Sequence, residues 1–244
     1  MTSAAETMIR FALNPDIDAP ALAEQFARHG RVQVKNFLTP DCAEALHLLL
    51  RERGDWVQVL NSNGKVFELS RQTRAEMTPA ACADLDNAIY AQARSGFQYR
   101  YESIRVPDGA DARAVSDDPL AAFAEWMSTG EARDLLRQIV GVDAIAFADA
   151  QATAYAPGDF LTGHDDAVTG KNRHAAYVMN LTPVWRTEWG GLLLFHEPEV
   201  RGFAPAFTTL NMFRVPQMHS VSEVTRAAAY RRYSITGWLR SGGR

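Results

Sequence analysis

Between Thr39 and Gly54 the apolar residues Cys42, Leu46, Leu49 and Leu50 recur at three- and four-residue intervals, which gathers them on one face of a helix. Thr39-Pro40-Asp41 opens that stretch with a residue able to cap and a proline suited to a first helical turn, and Gly54 closes it. A helix is therefore predicted over Asp41–Arg53, and Thr78-Pro79 starts a second over Ala80–Arg94, ahead of Gly96. A short strand, Arg31–Phe37, precedes both. Gly109–Asp118 reads as an acidic, alanine-rich loop, and Pro119–Val140 returns to the helical period with a division at Thr129-Gly130. From Asp143 onward β-branched and aromatic residues gather in short runs cut by Pro157-Gly158, Gly170, Gly190-Gly191 and Pro216. The runs predict strands at Ile145–Tyr155, Phe160–His164, His174–Leu181, Leu192–His196, Phe207–Val215 and Arg232–Leu239.

Many short strands after a helical first half predict an α+β protein, a sandwich or jelly-roll barrel with the N-terminal helices packed on its outside. Neither a linker nor an internal repeat separates the halves, so 1–244 is expected as a single domain, with 1–142 a mainly helical buttress and 143–244 the barrel core. With 47% hydrophobic and 22% charged residues, the chain can bury a sizeable core, which excludes wholesale disorder. A net charge of -4 provides no positive field for a phosphate backbone, so no nucleic-acid partner is expected. Cys42 and Cys82 are too few for a disulfide framework and lack zinc-knuckle spacing, which points to a reducing, cytoplasmic setting. Met1–Asp16 lacks the apolar segment of a secretory signal, and no window approaches the roughly 20 apolar residues of a spanning helix, so no membrane partner is expected either.

The candidate chemistry lies in Tyr155-Ala-Pro-Gly-Asp-Phe-Leu-Thr-Gly-His164-Asp165-Asp166. In extended chain alternate side chains share a face, which would point His164 with Asp166 and turn Asp165 away. His219, after the strand signal at Phe207–Val215, is the candidate third ligand. Two imidazoles and one carboxylate form a face that holds ferrous iron while leaving positions open for substrate and oxygen. Arg232 and Ser234, two apart on the last strand, would share a face with Thr236 and Trp238. A guanidinium inside a barrel is costly unless it meets a carboxylate, and a bound dicarboxylic acid would meet that need bidentately.

These residues resemble the iron(II)- and 2-oxoglutarate-dependent oxygenases of the prolyl 4-hydroxylase type. The resemblance covers roughly the C-terminal hundred residues: Tyr155 with Pro157-Gly158, His164 and Asp166, Asn180, Trp189-Gly190-Gly191-Leu192, His219 with Val221 and Val224, and Arg232–Trp238. It implies a double-stranded β-helix, iron held by His164, Asp166 and His219, and the distal carboxylate of 2-oxoglutarate on Arg232, with Ser234 and Tyr155 assisting. Val221–Val224 and Ser234–Trp238 look like bacterial relatives of the ribosomal-protein prolyl hydroxylases. The implied reaction consumes dioxygen, releases succinate and carbon dioxide, and hydroxylates a prolyl residue or related C–H position on a peptide, protein or small molecule, with ascorbate as an accessory reductant. Asp166 also sets the chain apart from related halogenases, whose ligand set has a small residue there.

The stretch from His219 to Arg232 is longer than in many relatives and leaves Arg231 as a rival for the carboxylate; strand alternation favours Arg232. Asn180 and Trp238 read as structural residues, Trp189-Gly190-Gly191 as a turn, and Phe97–Arg105 either as a substrate-binding lip or as an edge strand. His29, His47, His174 and His196 lack partners at ligand spacing. Two other functions use the same residues: a cupin-like metal-binding module without oxidative activity, and a zinc hydrolase built on His164, Asp166 and His219.

Overall fold

The structure, a computed structural model, describes residues 9–62 and 64–242. Its first half runs α1 (Ala19–His29), β1 (Arg31–Val34), α2 (Pro40–Glu52), β2 (Val57–Ser62), β3 (Lys65–Ser70), α3 (Arg71–Ala75), α4 (Pro79–Ala93), β4 (Tyr99–Arg105), α5 (Ala110–Ala114), α6 (Pro119–Met127) and α7 (Gly130–Val140). The second half is almost wholly strand: β5 (Phe147–Ala148), β6 (Gln151–Tyr155), β7 (Phe160–His164), β8 (Arg173–Asn180), β9 (Leu193–Phe195), β10 (Arg201–Phe203), β11 (Thr209–Arg214), β12 (His219–Val221) and β13 (Arg232–Arg240).

Local chemistry accounts for the helices. Asp18 accepts from the Ala21 amide to start α1, and Gly30 in the left-handed region ends it. Thr78 caps α4 through Ala81, whereas Thr39 makes no side-chain cap for α2. Nor does Gly54 stop α2: the helix ends at Arg53 in extended backbone, and the Trp56 indole donates to the Leu50 carbonyl, satisfying one of the last-turn acceptors. Thr129-Gly130 divides α6 from α7 as expected, while the expected 109–118 loop contains the short α5.

The strands join one antiparallel sheet whose main path is β1-β11-β8-β13-β6-β4-β7-β12-β9-β10, with β2 and β3 added beside β4, and β5 beside β13. It curls into the half-barrel of a jelly roll, and the fold is α+β. Four strands lie before residue 143, so the first half supplies sheet as well as helices. The segment around 97–105 is β4, paired with β2, β6 and β7 rather than lying at an edge.

One face of the sheet carries the main core, where Tyr233, Ile235 and Leu239 of β13 meet Leu46 and Leu50 of α2 and Phe123 of α6. The alternate β13 residues Arg232, Thr236 and Trp238 turn the other way and line a cavity of about 440 Å³. Register sets the cavity's chemistry. His219 lies directly opposite His164 across β12–β7, and Arg232 lies opposite Tyr155 across β13–β6. No helix is long and apolar enough to cross a membrane among the described residues.

Candidate metal and diacid site

His164 is the last residue of β7 and His219 the first of β12, with ring centroids 4.1 Å apart. Each ring is oriented in the same way: Nδ1 lies 3.0 Å from the Thr162 carbonyl in one and 2.7 Å from the Gln217 carbonyl in the other. A carbonyl can only accept, so in the neutral form of each ring Nδ1 carries the hydrogen and Nε2 keeps its lone pair. Both Nε2 atoms face Asp166, at 3.4 Å from Oδ1 and 3.5 Å from Oδ2. The three ligand atoms lie within 4.8 Å of one another, and those gaps are wide enough for a cation between the groups.

The electrostatics suit a divalent ion. Burial, reinforced by the charge on His164, lowers the His219 pKa to about 4, so this ring is neutral at physiological pH. Burial opposes charge on His164 as well, but the hydrogen bond and charge of Asp166 outweigh it and hold that pKa above its ordinary value. Burial also works against ionisation of Asp166, yet the His164 hydrogen bond and the charges of the two rings prevail and keep the carboxyl below its usual range. A donor set of two imidazoles and one carboxylate on one side of an open cavity fits ferrous iron.

The route by which Asp166 reaches the site differs from the expected strand alternation. β7 ends at His164, and Asp166 stands in the following turn with φ +63°. That left-handed conformation costs an L-residue about 1–2 kcal/mol, less for aspartate than for most.

Arg232 forms a second part of the cavity. Its guanidinium is fully buried and lies 5.3 Å from the Tyr155 ring centre, with a long 3.5 Å contact to Asn180 Oδ1. Nε has no hydrogen-bond partner, and burial pushes the pKa down. Gly191 makes room for this side chain, since a Cβ there would lie 3.1 Å from Arg232 Cδ. Five arginines are buried among the described residues; Arg31, Arg100, Arg113 and Arg240 each meet a carboxylate, and Arg232 does not. The neighbouring Arg231 points away and pairs with Glu102 at 2.9 Å, as strand alternation requires.

Tyr155 stacks on Tyr101 with centroids 5.0 Å apart, and burial holds its hydroxyl well above the ordinary tyrosine pKa. Ser234 is set behind the wall, with its hydroxyl 2.9 Å from that of Thr153, which lines the cavity. Asn180 donates to the Thr209 carbonyl and so braces the strand end as well as touching Arg232. In the expected turn Trp189-Gly190-Gly191, Trp189 closes a 3-10 helix (Thr187–Trp189), Gly190 bridges to Val224, and both glycines have positive φ. Of the 97–105 segment, Phe97, Tyr99, Tyr101 and Arg105 line the cavity.

Two features escape the sequence reading. Trp238 lines the cavity instead of serving only as packing, and Arg173 lies against it with its guanidinium carbon 3.5 Å from the ring centre. The position of Trp238, an even number of residues after Arg232, was a usable signal for the first. Arg173, which opens β8, had none.

Residues 150–240 match the family model of the 2OG-Fe(II) oxygenase superfamily. The match spans β6 to β13, less than half of the chain. It contains His164, Asp166, His219 and Arg232. A search of curated proteins finds no match. Among solved structures, a Pseudomonas putida prolyl-4-hydroxylase is 22% identical with a TM-score of 0.56, the match covering 92% of this chain and 100% of that one. A 2OG-Fe(II) oxygenase family oxidoreductase from Burkholderia pseudomallei is 16% identical with a TM-score of 0.60, covering 96% of each chain. A Trichoplax adhaerens prolyl hydroxylase, solved with a hypoxia inducible factor oxygen degradation domain peptide, is 18% identical with a TM-score of 0.56, covering 91% of this chain and 89% of that one. At these identities the likeness is one of fold.

Proposed function

We propose that the chain is an iron(II)- and 2-oxoglutarate-dependent hydroxylase acting on a prolyl residue or related C–H position, with both halves forming one catalytic domain. The observation that carries this reading is Arg232, a buried cation without a carboxylate in the same cavity as the His164–Asp166–His219 set. A buried guanidinium fork without an anion is expensive, and the distal carboxylate of a diacid would satisfy it through paired charge-assisted hydrogen bonds.

Bound iron(II) would supply activation of dioxygen, coupled to oxidative decarboxylation of 2-oxoglutarate to succinate and carbon dioxide and to hydroxylation of the substrate. His164 and His219 would hold the metal through Nε2, their Nδ1 hydrogens being committed to Thr162 and Gln217. Asp166 would contribute the negative charge and leave the opposite side open. Arg232 would orient 2-oxoglutarate from its far end, with Asn180 steadying the fork. Tyr155 and Tyr101 wall that end with stacked rings that exclude water. Phe97, Tyr99, Arg173 and Trp238 line the same cavity with aromatic and cationic surface, which suits an extended peptide carrying an apolar ring such as proline. A fold neighbour solved with a peptide supports the same substrate class. Ascorbate has no support from the site.

Anaerobic addition of iron(II) and 2-oxoglutarate should give a weak visible charge-transfer band, and succinate release across a panel of proline-containing peptides, amino acids and cell lysate should identify the substrate. A colourless mixture, with no 2-oxoglutarate binding in calorimetry, would instead favour a metal-binding module or a zinc hydrolase.

A further inference from the structure

We infer that Arg173 is a positioning residue for the Asp166 carboxylate, and that Trp238 is the platform that holds Arg173 in place. The inference rests on the proposed metal site and extends it beyond the three ligands.

Asp166 lies outside the β7 ladder, in a left-handed turn that strand pairing does not impose. Arg173 Nη1 donates to the Asp166 carbonyl at 2.9 Å, which ties the turn back to the first residue of β8. Rotation of the Asp166 backbone would swing its carboxylate away from both imidazoles, so fixing the carbonyl fixes the ligand.

Arg173 is itself committed to this task by its surroundings. Among the described residues it forms no ion pair with a carboxylate, its Nε has no partner, and burial lowers its pKa. Its guanidinium lies over the Trp238 indole at 3.5 Å, a contact that orients the fork without neutralising it. Trp238 is anchored in turn: its backbone N–H donates to Asp149 Oδ1 at 2.7 Å, and the other oxygen of that buried carboxylate accepts from Arg240 at 3.1 Å. The chain of contacts therefore runs from Asp149 through Trp238 and Arg173 to Asp166, so β13, the strand that carries Arg232, also sets the position of the carboxylate ligand.

Arg173 also lines the cavity, so loss of activity alone would not separate positioning from substrate contact. The test is a Co²⁺ titration followed by visible absorption, without 2-oxoglutarate or substrate. Arg173→Met and Arg173→Lys should weaken Co²⁺ binding by about 10- to 100-fold, the range for residues that orient metal ligands. Thermal unfolding of the metal-free variants should match the parent. Trp238→Phe, which keeps the ring face under Arg173 but loses the indole N–H that favours the Asp166 carboxylate, should fall between the parent and Trp238→Ala, and Trp238→Ala should lose at least as much as Arg173→Met. The double variant should lose no more than Trp238→Ala alone, because removing the indole already releases Arg173. Parent-like Co²⁺ affinity in Arg173→Met, with only a raised KM for substrate, would overturn the inference and make Arg173 a substrate contact. Failure of the unmodified protein to bind Co²⁺ would overturn the metal-site reading and this inference with it.

Discussion

Replacing Arg232 by methionine should make the metal-free protein more stable while removing its affinity for 2-oxoglutarate. In the folded chain the guanidinium is out of water, Nε is unpartnered, the Asn180 contact is at the 3.5 Å limit, and the Tyr155 ring at 5.3 Å supplies the main compensation. Desolvating a charge costs several kcal/mol, and a cation over a buried ring recovers about 2 kcal/mol. Allowing for the smaller volume of methionine, the substitution should stabilise the empty protein by about 1–3 kcal/mol, or roughly 2–12 °C in Tm for a chain of this length. Binding should move the opposite way. Two charge-assisted hydrogen bonds at about 1.5–3 kcal/mol each correspond to a loss of roughly 10²- to 10⁴-fold in 2-oxoglutarate affinity. Differential scanning calorimetry of the metal-free form and isothermal titration of 2-oxoglutarate in the presence of Mn²⁺ measure the two effects separately. A variant that melts below the parent and binds 2-oxoglutarate equally well would refute the reasoning, since Arg232 would then be a core residue with no ligand to meet.

The metal ligands and their supports give three further expectations. His164→Ala and His219→Ala should each abolish turnover and weaken Co²⁺ binding by about 100-fold or more, and unchanged turnover in either variant would remove that residue from the ligand set. Metal affinity should fall as pH is lowered: the His164 pKa is raised above 6.5, so its ring binds a proton that the metal must displace, costing about tenfold per pH unit below that pKa. His219, lowered to about 4, adds nothing to this slope near neutrality, and a Co²⁺ affinity independent of pH between pH 6 and 8 would contradict the assignment. Gly190→Ala should destabilise the fold by about 2–4 kcal/mol in urea denaturation, because φ is +73° and the new Cβ would lie 2.0 Å from the Glu223 carbonyl oxygen.

The strands of the second half were legible because β-branched and aromatic runs are cut by glycine and proline, as at Phe160–His164, which follows Pro157-Gly158 and where prediction and structure coincide. β4 was obscured for the opposite reason. Arg100 and Glu102 are buried on one of its faces, so the polar residues that normally mark solvent stand in the interior. They are tolerated because Asp159 meets Arg100, while Arg71, Arg74 and Arg231 surround Glu102. Those partners come from distant parts of the chain, and no local pattern reveals them. The β2–β3 pair did carry a local signal, Asn63-Gly64 between two apolar-rich runs, a combination that favours a hairpin. β12 is three residues long, and its pairing with β7 and β9 gives it an identity that its length does not.

The site shows a sharper division between what spacing can and cannot reveal. Alternation led to His164 and Asp166, but the strand stops at the first of them, and a left-handed turn brings the second back toward Nε2. The residue types were sufficient to nominate the pair; the turn depends on Arg173, whose reach to the Asp166 carbonyl exists only after β8 has formed. Arg173 and Arg232 look like ordinary strand cations in the sequence. What distinguishes the buried Arg232 and the half-buried Arg173 is the lack of any carboxylate ion pair among the described residues, whereas the buried Arg31, Arg100, Arg113 and Arg240 each have one. Uncompensated charge in a folded interior costs free energy, and it persists where another interaction offsets that cost. For Arg232 the offset would be a diacid and for Arg173 the geometry of a metal ligand, so the two unpaired guanidiniums mark the same cavity by independent routes.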